Sequence, residues 1–196
     1  DGEIPLIENY EDFSNAIKPI KLKYLRNKTK LSIGEKRHKL IQNANNNLVV
    51  FMDDDDLYEP TYISHSFETL KNNNAGCVGC NKMIFIYPPY TKDDFYALDC
   101  GDNKKLIHEA TLMFTKNWYN KTQGFLNSNK AEGLGITQSC KLKTIALTNP
   151  LYNMTAVVHG NNTIDKEKFK DENMKLDSSN ISFEEKTTEF IKMVCS

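Results

Sequence analysis

Between Ser32 and Leu57 the hydrophobic rhythm of the chain changes once, and the change predicts two elements. Ser32-Ile33-Gly34-Glu35 has the serine-to-glutamate spacing of a capping box, and Leu40, Ile41 and Ala44 then supply one apolar stripe at helical spacing. A helix is expected from Ser32 to the asparagines at 45–47. Leu48-Val49-Val50-Phe51-Met52 follows without a polar break. Five apolar residues rich in β-formers are too few for a helix and read as a strand buried on both faces of a parallel sheet. Asp53, Asp54, Asp55 and Asp56 come next, at the carboxyl end of that strand. In open α/β sheets that edge is where ligands bind.

The same alternation of helix and strand continues. Pro60 is placed to open a helix through about Leu70, with Asn72 to Gly76 as its exit, and Cys77 to Tyr87 reads as a second strand. After Pro88-Pro89 a polar, aromatic stretch runs to Lys105. Further strands are expected near Ile107 to Thr115, Thr144 to Leu147 and Met154 to Val158. Beyond Gly160 the chain is polar until Ser182-Phe183-Glu184-Glu185, a second capping box. It would start a helix with Phe183, Phe190, Ile191 and Val194 on the face that docks on the core. The class is α/β, with a more irregular second half.

Composition changes this picture little. The 196 residues fit one domain able to bury a core without disulfide or metal staples. A net charge of -1 gives no reason to expect nucleic acid or an acidic membrane as partner. The five scattered cysteines suit a reducing compartment, so the cytoplasm is the expected location, and no 18-residue apolar run or signal segment is present. Cys77-Val78-Gly79-Cys80 has no second pair for zinc and reads as structural, as do His65 and His108, which lack a ligand partner at helical spacing.

The chemistry concentrates at the acidic run. Four adjacent carboxylates repel one another unless solvent or a cation relieves them. A calcium loop of the EF-hand type fails on spacing, because Tyr58 and Ser64 stand where glycine and glutamate are needed. Lys36 and Arg37 lie in the first turn of the preceding helix, where the dipole disfavours positive charge. Either a phosphate held there by backbone N–H groups offsets them, or they are solvated surface cations.

Ser32-Ile33-Gly34-Glu35-Lys36-Arg37-His38, the apolar strand, and Phe51-Met52-Asp53-Asp54-Asp55-Asp56-Leu57-Tyr58-Glu59-Pro60 together resemble the "G-x-x-R-N" helix and "D-x-D-D-x-y-x-P" segment of the large inverting family of GT-A fold glycosyltransferases. His38 stands where that family usually has asparagine, a departure that bears on donor contacts. The resemblance implies a Rossmann-like mixed sheet flanked by helices. It further implies a nucleotide-sugar half at about 1–87, an acceptor half at about 88–165 and a tail with a helix at 166–196. Asp1-Gly2 resembles the end of the "D-D-G" that closes the family's first βαβ unit, so further residues upstream of Asp1 are expected to complete the nucleotide pocket.

By the same resemblance, Lys36, Arg37, Asp53 and Asp54 would contact a nucleotide-diphosphate sugar, with a UDP-sugar as the expected donor. Asp55 and Asp56 would hold Mn²⁺ or Mg²⁺. Val157-Val158-His159-Gly160-Asn161-Asn162-Thr163 is similar to the family's "H-G-x-N-T" segment, which adds His159 to the metal set. Lys130-Ala131-Glu132-Gly133 lies where the family carries its general base; Glu132 is preferred to Glu109, which is expected on a strand. The implied reaction moves a hexose to a hydroxyl of a glycan, lipid or protein. A non-catalytic sugar- or nucleotide-binding module that keeps the fold is the alternative. Glu109, Trp118, Tyr87 and Tyr90 are candidates to line an acceptor groove, or to pack in the core.

Overall fold

The computed structural model describes residues 7–160, 162, 163, 165–176 and 191. In chain order the elements are α1 (Tyr10–Ala16), α2 (Ile33–Asn43), β1 (Leu48–Val50), β2 (Leu57–Tyr58), α3 (Tyr62–Asn72), β3 (Cys77–Gly79), β4 (Lys82–Ile86), β5 (Phe95–Asp99), β6 (Met113–Thr115), α4 (Lys116–Tyr119), α5 (Leu134–Ser139), β7 (Ile145–Leu147) and β8 (Met154–Val157), with short 3-10 turns between them. The strands form two mixed sheets. One has the order β1-β6-β3-β7 and the other β2-β8-β4-β5.

The expected helix after Ser32 is present, and its capping box is complete: Ser32 Oγ accepts from the Glu35 N–H, and the Glu35 carboxylate accepts from the Ser32 N–H. Its apolar stripe is narrower than expected, because Ile41 is buried whereas Leu40 is exposed. The strand that follows requires a correction. β1 runs antiparallel to β6, with Val49 opposite Phe114, and it pairs with no other described strand. A continuous apolar run reports burial but not strand direction. Val49 and Phe51 enter one core cluster while Val50 packs against another on the opposite face, as a strand with two covered faces would.

Two other expected strands divide. Cys77 to Tyr87 breaks at Cys80-Asn81, so that β3 joins the first sheet and β4 the second. The break is held by the Cys80 N–H donating to Thr111 Oγ1 at 2.8 Å. The stretch from Ile107 to Thr115 is a strand only at its end: Glu109–Thr111 is a 3-10 turn, and β6 begins at Met113. Strand β5 lies in what reads as a polar aromatic stretch. It pairs along its whole length with β4, from Lys82 opposite Asp99 to Ile86 opposite Phe95. The second capping box lies outside the described residues. Ile191 is described, and it is buried with Ile84, Ile86, Phe95 and Val157.

The acidic run crosses between the sheets, leaving β1 of one and entering β2 of the other. Two tyrosines close this crossing. Tyr62 Oη donates to the Phe51 carbonyl at 3.0 Å. Tyr58 Oη accepts the Asp53 N–H at 2.7 Å and donates to the Ala110 carbonyl at 3.1 Å.

Gly34 brings the segment carrying Glu132 against α2. A Cβ at this position would lie 1.8 Å from the Leu126 carbonyl oxygen, which is backbone and cannot swing aside. Alanine in a helix interior normally gains about 1 kcal/mol over glycine, whereas overpacking costs roughly 1–3 kcal/mol. Gly34→Ala is therefore expected to destabilise, lowering the melting temperature by several degrees in a thermal unfolding scan. An unchanged or raised midpoint would show that the approach of Leu126 to α2 is not constrained.

Candidate active site

A cavity of about 940 Å³ opens where the two sheets meet. Its wall comes from the first turns of α2 (Ile33, Lys36, Arg37, Leu40), the end of β1 with the acidic run (Phe51 to Asp56), the turn His108-Glu109-Ala110, the loop Asn129 to Glu132, and Asn162, Thr163 and Lys166. Segments far apart in sequence thus converge on one concave surface.

Arg37 is the charged centre of this surface. It is 8% exposed, donates from Nη2 to Asp53 Oδ2 at 3.0 Å and from Nε to Glu132 Oε1 at 3.1 Å, and stacks its guanidinium 4.9 Å over the Phe51 ring. Burial acts against its charge, but Asp53 and Glu132 more than offset this, so its pKa is raised. Planar geometry lets one guanidinium serve two carboxylates at once. Lys36, one residue earlier, also lines the cavity.

The four aspartates are not one crowded cluster. Asp53 turns to Arg37, Asp54 is exposed, Asp55 Oδ2 lies 3.3 Å from His159 Nε2, and Asp56 folds inward, where Oδ1 accepts the Val157 N–H at 3.0 Å. Burial pushes the Asp56 carboxyl up to about 7, although Lys166, whose Nζ is 3.9 Å away, pulls the other way. The mutual repulsion expected from sequence is therefore relieved by separate partners. Asp56 is directed at the Val157 backbone and Lys166.

His159 is held by Asn162, whose Oδ1 accepts the His159 N–H at 2.8 Å and whose Nδ2 lies 2.8 Å from the ring Nε2. A neutral imidazole nitrogen is either a donor or a single-lone-pair acceptor, so Nε2 serves the Asp55 carboxylate in one tautomer and the Asn162 amide, or a cation that displaces it, in the other. Asp55 and Asn162 line the cavity. Among the described residues no group of three or more His, Cys, Asp or Glu side chains is set to hold a metal ion. A cation here would take two protein ligands and draw the rest from substrate and water, as Mg²⁺ commonly does.

The helix N-terminus does not offer its backbone to a phosphate. The N–H groups of Ser32, Ile33, Gly34 and Glu35 donate to Glu35, Asn129 Oδ1, the Ser128 carbonyl and Ser32 Oγ. The expectation of a phosphate cradled by these groups is corrected accordingly, and the cationic side chains alone remain for an anion. His38 points elsewhere, with Nδ1 3.0 Å from Tyr119 Oη and Nε2 2.8 Å from Gln42.

Glu132 is 5% exposed and precedes α5 directly; Ala131 before it has a positive φ of 52°. Glu109 accepts the Gly133 N–H at 3.1 Å, and its pKa is raised by burial first and by Glu132 second. Gly133 must be glycine for this contact, since a Cβ would lie 2.6 Å from Glu109 Cγ. Of the aromatic candidates for an acceptor groove, Tyr87 and Trp118 are core residues, and Tyr90 Oη bonds the Val158 carbonyl; none lines the cavity. Cys77 and Cys80 are buried free thiols, and His65 packs on Tyr152, so these read as structural. Asn129, Lys166, His108 and the clamp made by Tyr58 are cavity features that sequence reasoning missed. Lys166 had a signal in its position just beyond the His159 segment.

No helix among the described residues is long and apolar enough to cross a membrane. No curated protein matches the chain. The family model for glycosyl transferase family 2 matches residues 2–131, well over half of the sequence, and covers α2, the acidic run and the turn bearing Glu109. Two mixed sheets flanked by helices, with an acidic turn at their junction, agree with the GT-A arrangement of that family. The chain belongs to glycosyl transferase family 2.

Proposed function

We propose that the protein transfers a hexose from a nucleotide-diphosphate sugar, with UDP as the nucleotide, to an acceptor hydroxyl with inversion at the anomeric carbon. One observation carries this reading: the cavity joins the Asp55–His159 pair to a buried carboxylate, Glu132, through the Asp53–Arg37–Glu132 bridge.

In this reading Asp55 and His159 hold Mn²⁺ or Mg²⁺, which when bound would neutralise charge growing on the leaving diphosphate. Lys36 and Lys166 face the same cavity and supply further positive charge to an anionic donor. Asp53, fixed by Arg37 and by the Tyr58 hydroxyl at its backbone, orients the donor, with exposed Asp54 beside it. Glu132 is the general base. Its Oε1 is held by Arg37, which fixes its orientation, and Oε2 is left to take the acceptor proton. Attack by the acceptor oxygen on the anomeric carbon forms one C–O bond as the bond to the diphosphate oxygen breaks. Glycan, lipid and protein hydroxyls all meet these requirements.

Thermal unfolding with UDP and Mn²⁺, separately and together, tests the donor site. Stabilisation is expected to be far larger with both than with either alone, and Asp55→Asn should remove the excess. If the variant retains metal-dependent UDP binding by calorimetry, the metal lies elsewhere.

A separate measurement addresses the base. Glu132→Gln should reduce sugar transfer by about 10²–10⁴-fold while UDP-sugar affinity stays nearly constant. Wild-type turnover in this variant, or the same separation of binding from rate in Glu109→Gln alone, would move the role to another residue.

A further inference from the structure

His108 has no part in the scheme above, yet its ring lines the cavity. Its backbone is pinned on both sides: the N–H donates to the Cys80 carbonyl at 2.9 Å, and the carbonyl accepts from the Thr111 N–H at 3.0 Å and Thr111 Oγ1 at 2.7 Å. The side chain is therefore presented from a rigid turn. Nδ1 is shut away from solvent without a hydrogen-bond partner. Nε2 is not among the shut-away atoms and has no partner among the described residues, so it is the nitrogen open to the cavity.

The chemistry of the ring follows from this placement. Burial holds the imidazole pKa down to about 4, so the ring is neutral at physiological pH. A neutral imidazole carries one proton. Orphaned buried N–H groups are rarer than under-satisfied acceptors, which favours the lone pair on Nδ1 and the proton on Nε2. Beside it stands Glu109, whose carboxylate accepts the Gly133 N–H at Oε1 and also its own backbone N–H, and whose oxygens have lone pairs for further donors. One wall thus offers an uncharged donor next to a carboxylate acceptor. Phosphate would be repelled by Glu109. A sugar, whose adjacent hydroxyls both donate and accept, satisfies the pair.

We propose that His108 Nε2 and Glu109 Oε2 bind hydroxyls of the transferred sugar, which makes His108 a specificity-determining residue for the glycosyl half of the donor. The assignment rests on the donor-site reading given above. It separates two parts of one ligand: the diphosphate belongs to the cationic and metal-binding side, and the sugar to the turn between Ile107 and Leu112.

The full chain, labelled with ¹⁵N-histidine, is titrated with UDP and with UDP-glucose, UDP-galactose and UDP-N-acetylglucosamine in the presence of Mg²⁺. The sequence has four histidines, so the imidazole resonances can be assigned by substitution. The Nε2 resonance of His108 is expected to shift with at least one sugar nucleotide and not with UDP. Calorimetry provides the second readout. His108→Leu should weaken binding of that sugar nucleotide by about 3–10-fold, the effect of one neutral hydrogen bond, with UDP affinity unchanged. His108→Gln, which can place an amide N–H near the Nε2 position, should recover most of the loss. The proposal is overturned if His108 Nε2 responds to none of the sugar nucleotides, or responds equally to UDP. It is also overturned if His108→Leu binds sugar nucleotide as well as wild type, or loses UDP in equal measure. A wild-type chain that binds neither UDP nor any UDP-sugar overturns the donor-site reading itself, and this assignment with it.

Discussion

The ion pairs of Arg37 with Asp53 and Glu132 are the constraint on which the site depends. A guanidinium this buried is stable only with carboxylates to pair it, and removing one member of such a group leaves an uncompensated charge at a cost of about 3–5 kcal/mol. The three residues come from α2, the end of β1 and the loop before α5. Their pairing ties these segments together more firmly than the short strands alone could. Gly34 makes this possible one turn earlier, by letting the Leu126 backbone lie against the helix. Glycine and arginine three residues apart on α2 thus act together, the first setting the distance and the second using it.

The acidic run shows how a cluster of like charges can be divided among separate environments. Each aspartate from 53 to 56 points in its own direction because the chain turns between two sheets, and each meets a different environment: a guanidinium, solvent, an imidazole and a backbone N–H. Asp56 has the most to lose from ionisation, since burial outweighs the help of Lys166, and its pKa rises to about 7. Adjacent residues in a motif can therefore have unlike duties. Asp55 can face a ligand because Asp56, turned inward, fixes the turn to β8.

This division explains what could be read in advance. Helix α2, its capping box and the boundaries of α3, β7 and β8 were legible, because caps, periodicity and apolar runs are local. The resemblance at residues 32–60 was legible for the same reason, and the family model bears it out. Strand direction was not, since β1 gains its antiparallel partner β6 from a segment distant in sequence, with Leu48 opposite Thr115, and an apolar run does not encode the direction of its partner. Nor was the break at Cys80-Asn81, which depends on the Thr111 hydroxyl. Within the site, Asp55 lies 3.3 Å from His159, about a hundred residues on, and the inward turn of Asp56 depends on Val157. His108 read as a packing residue because its burial in the cavity wall, with Nδ1 unpartnered among the described residues, is visible only in three dimensions.

The environments of Glu109 and Glu132 argue for different roles despite their common chemistry. Glu132 shares a guanidinium with Asp53, so its charge is compensated and its orientation fixed. Glu109 has backbone N–H groups, its own and that of Gly133, and burial together with the charge on Glu132 raises its pKa. A base that must be deprotonated before the acceptor arrives is better served by the compensated carboxylate. A carboxyl that only orients hydroxyls needs less charge, since it can hydrogen-bond to a sugar in either protonation state. Interaction between the two strengthens this separation, because the charge on Glu132 disfavours charge on Glu109.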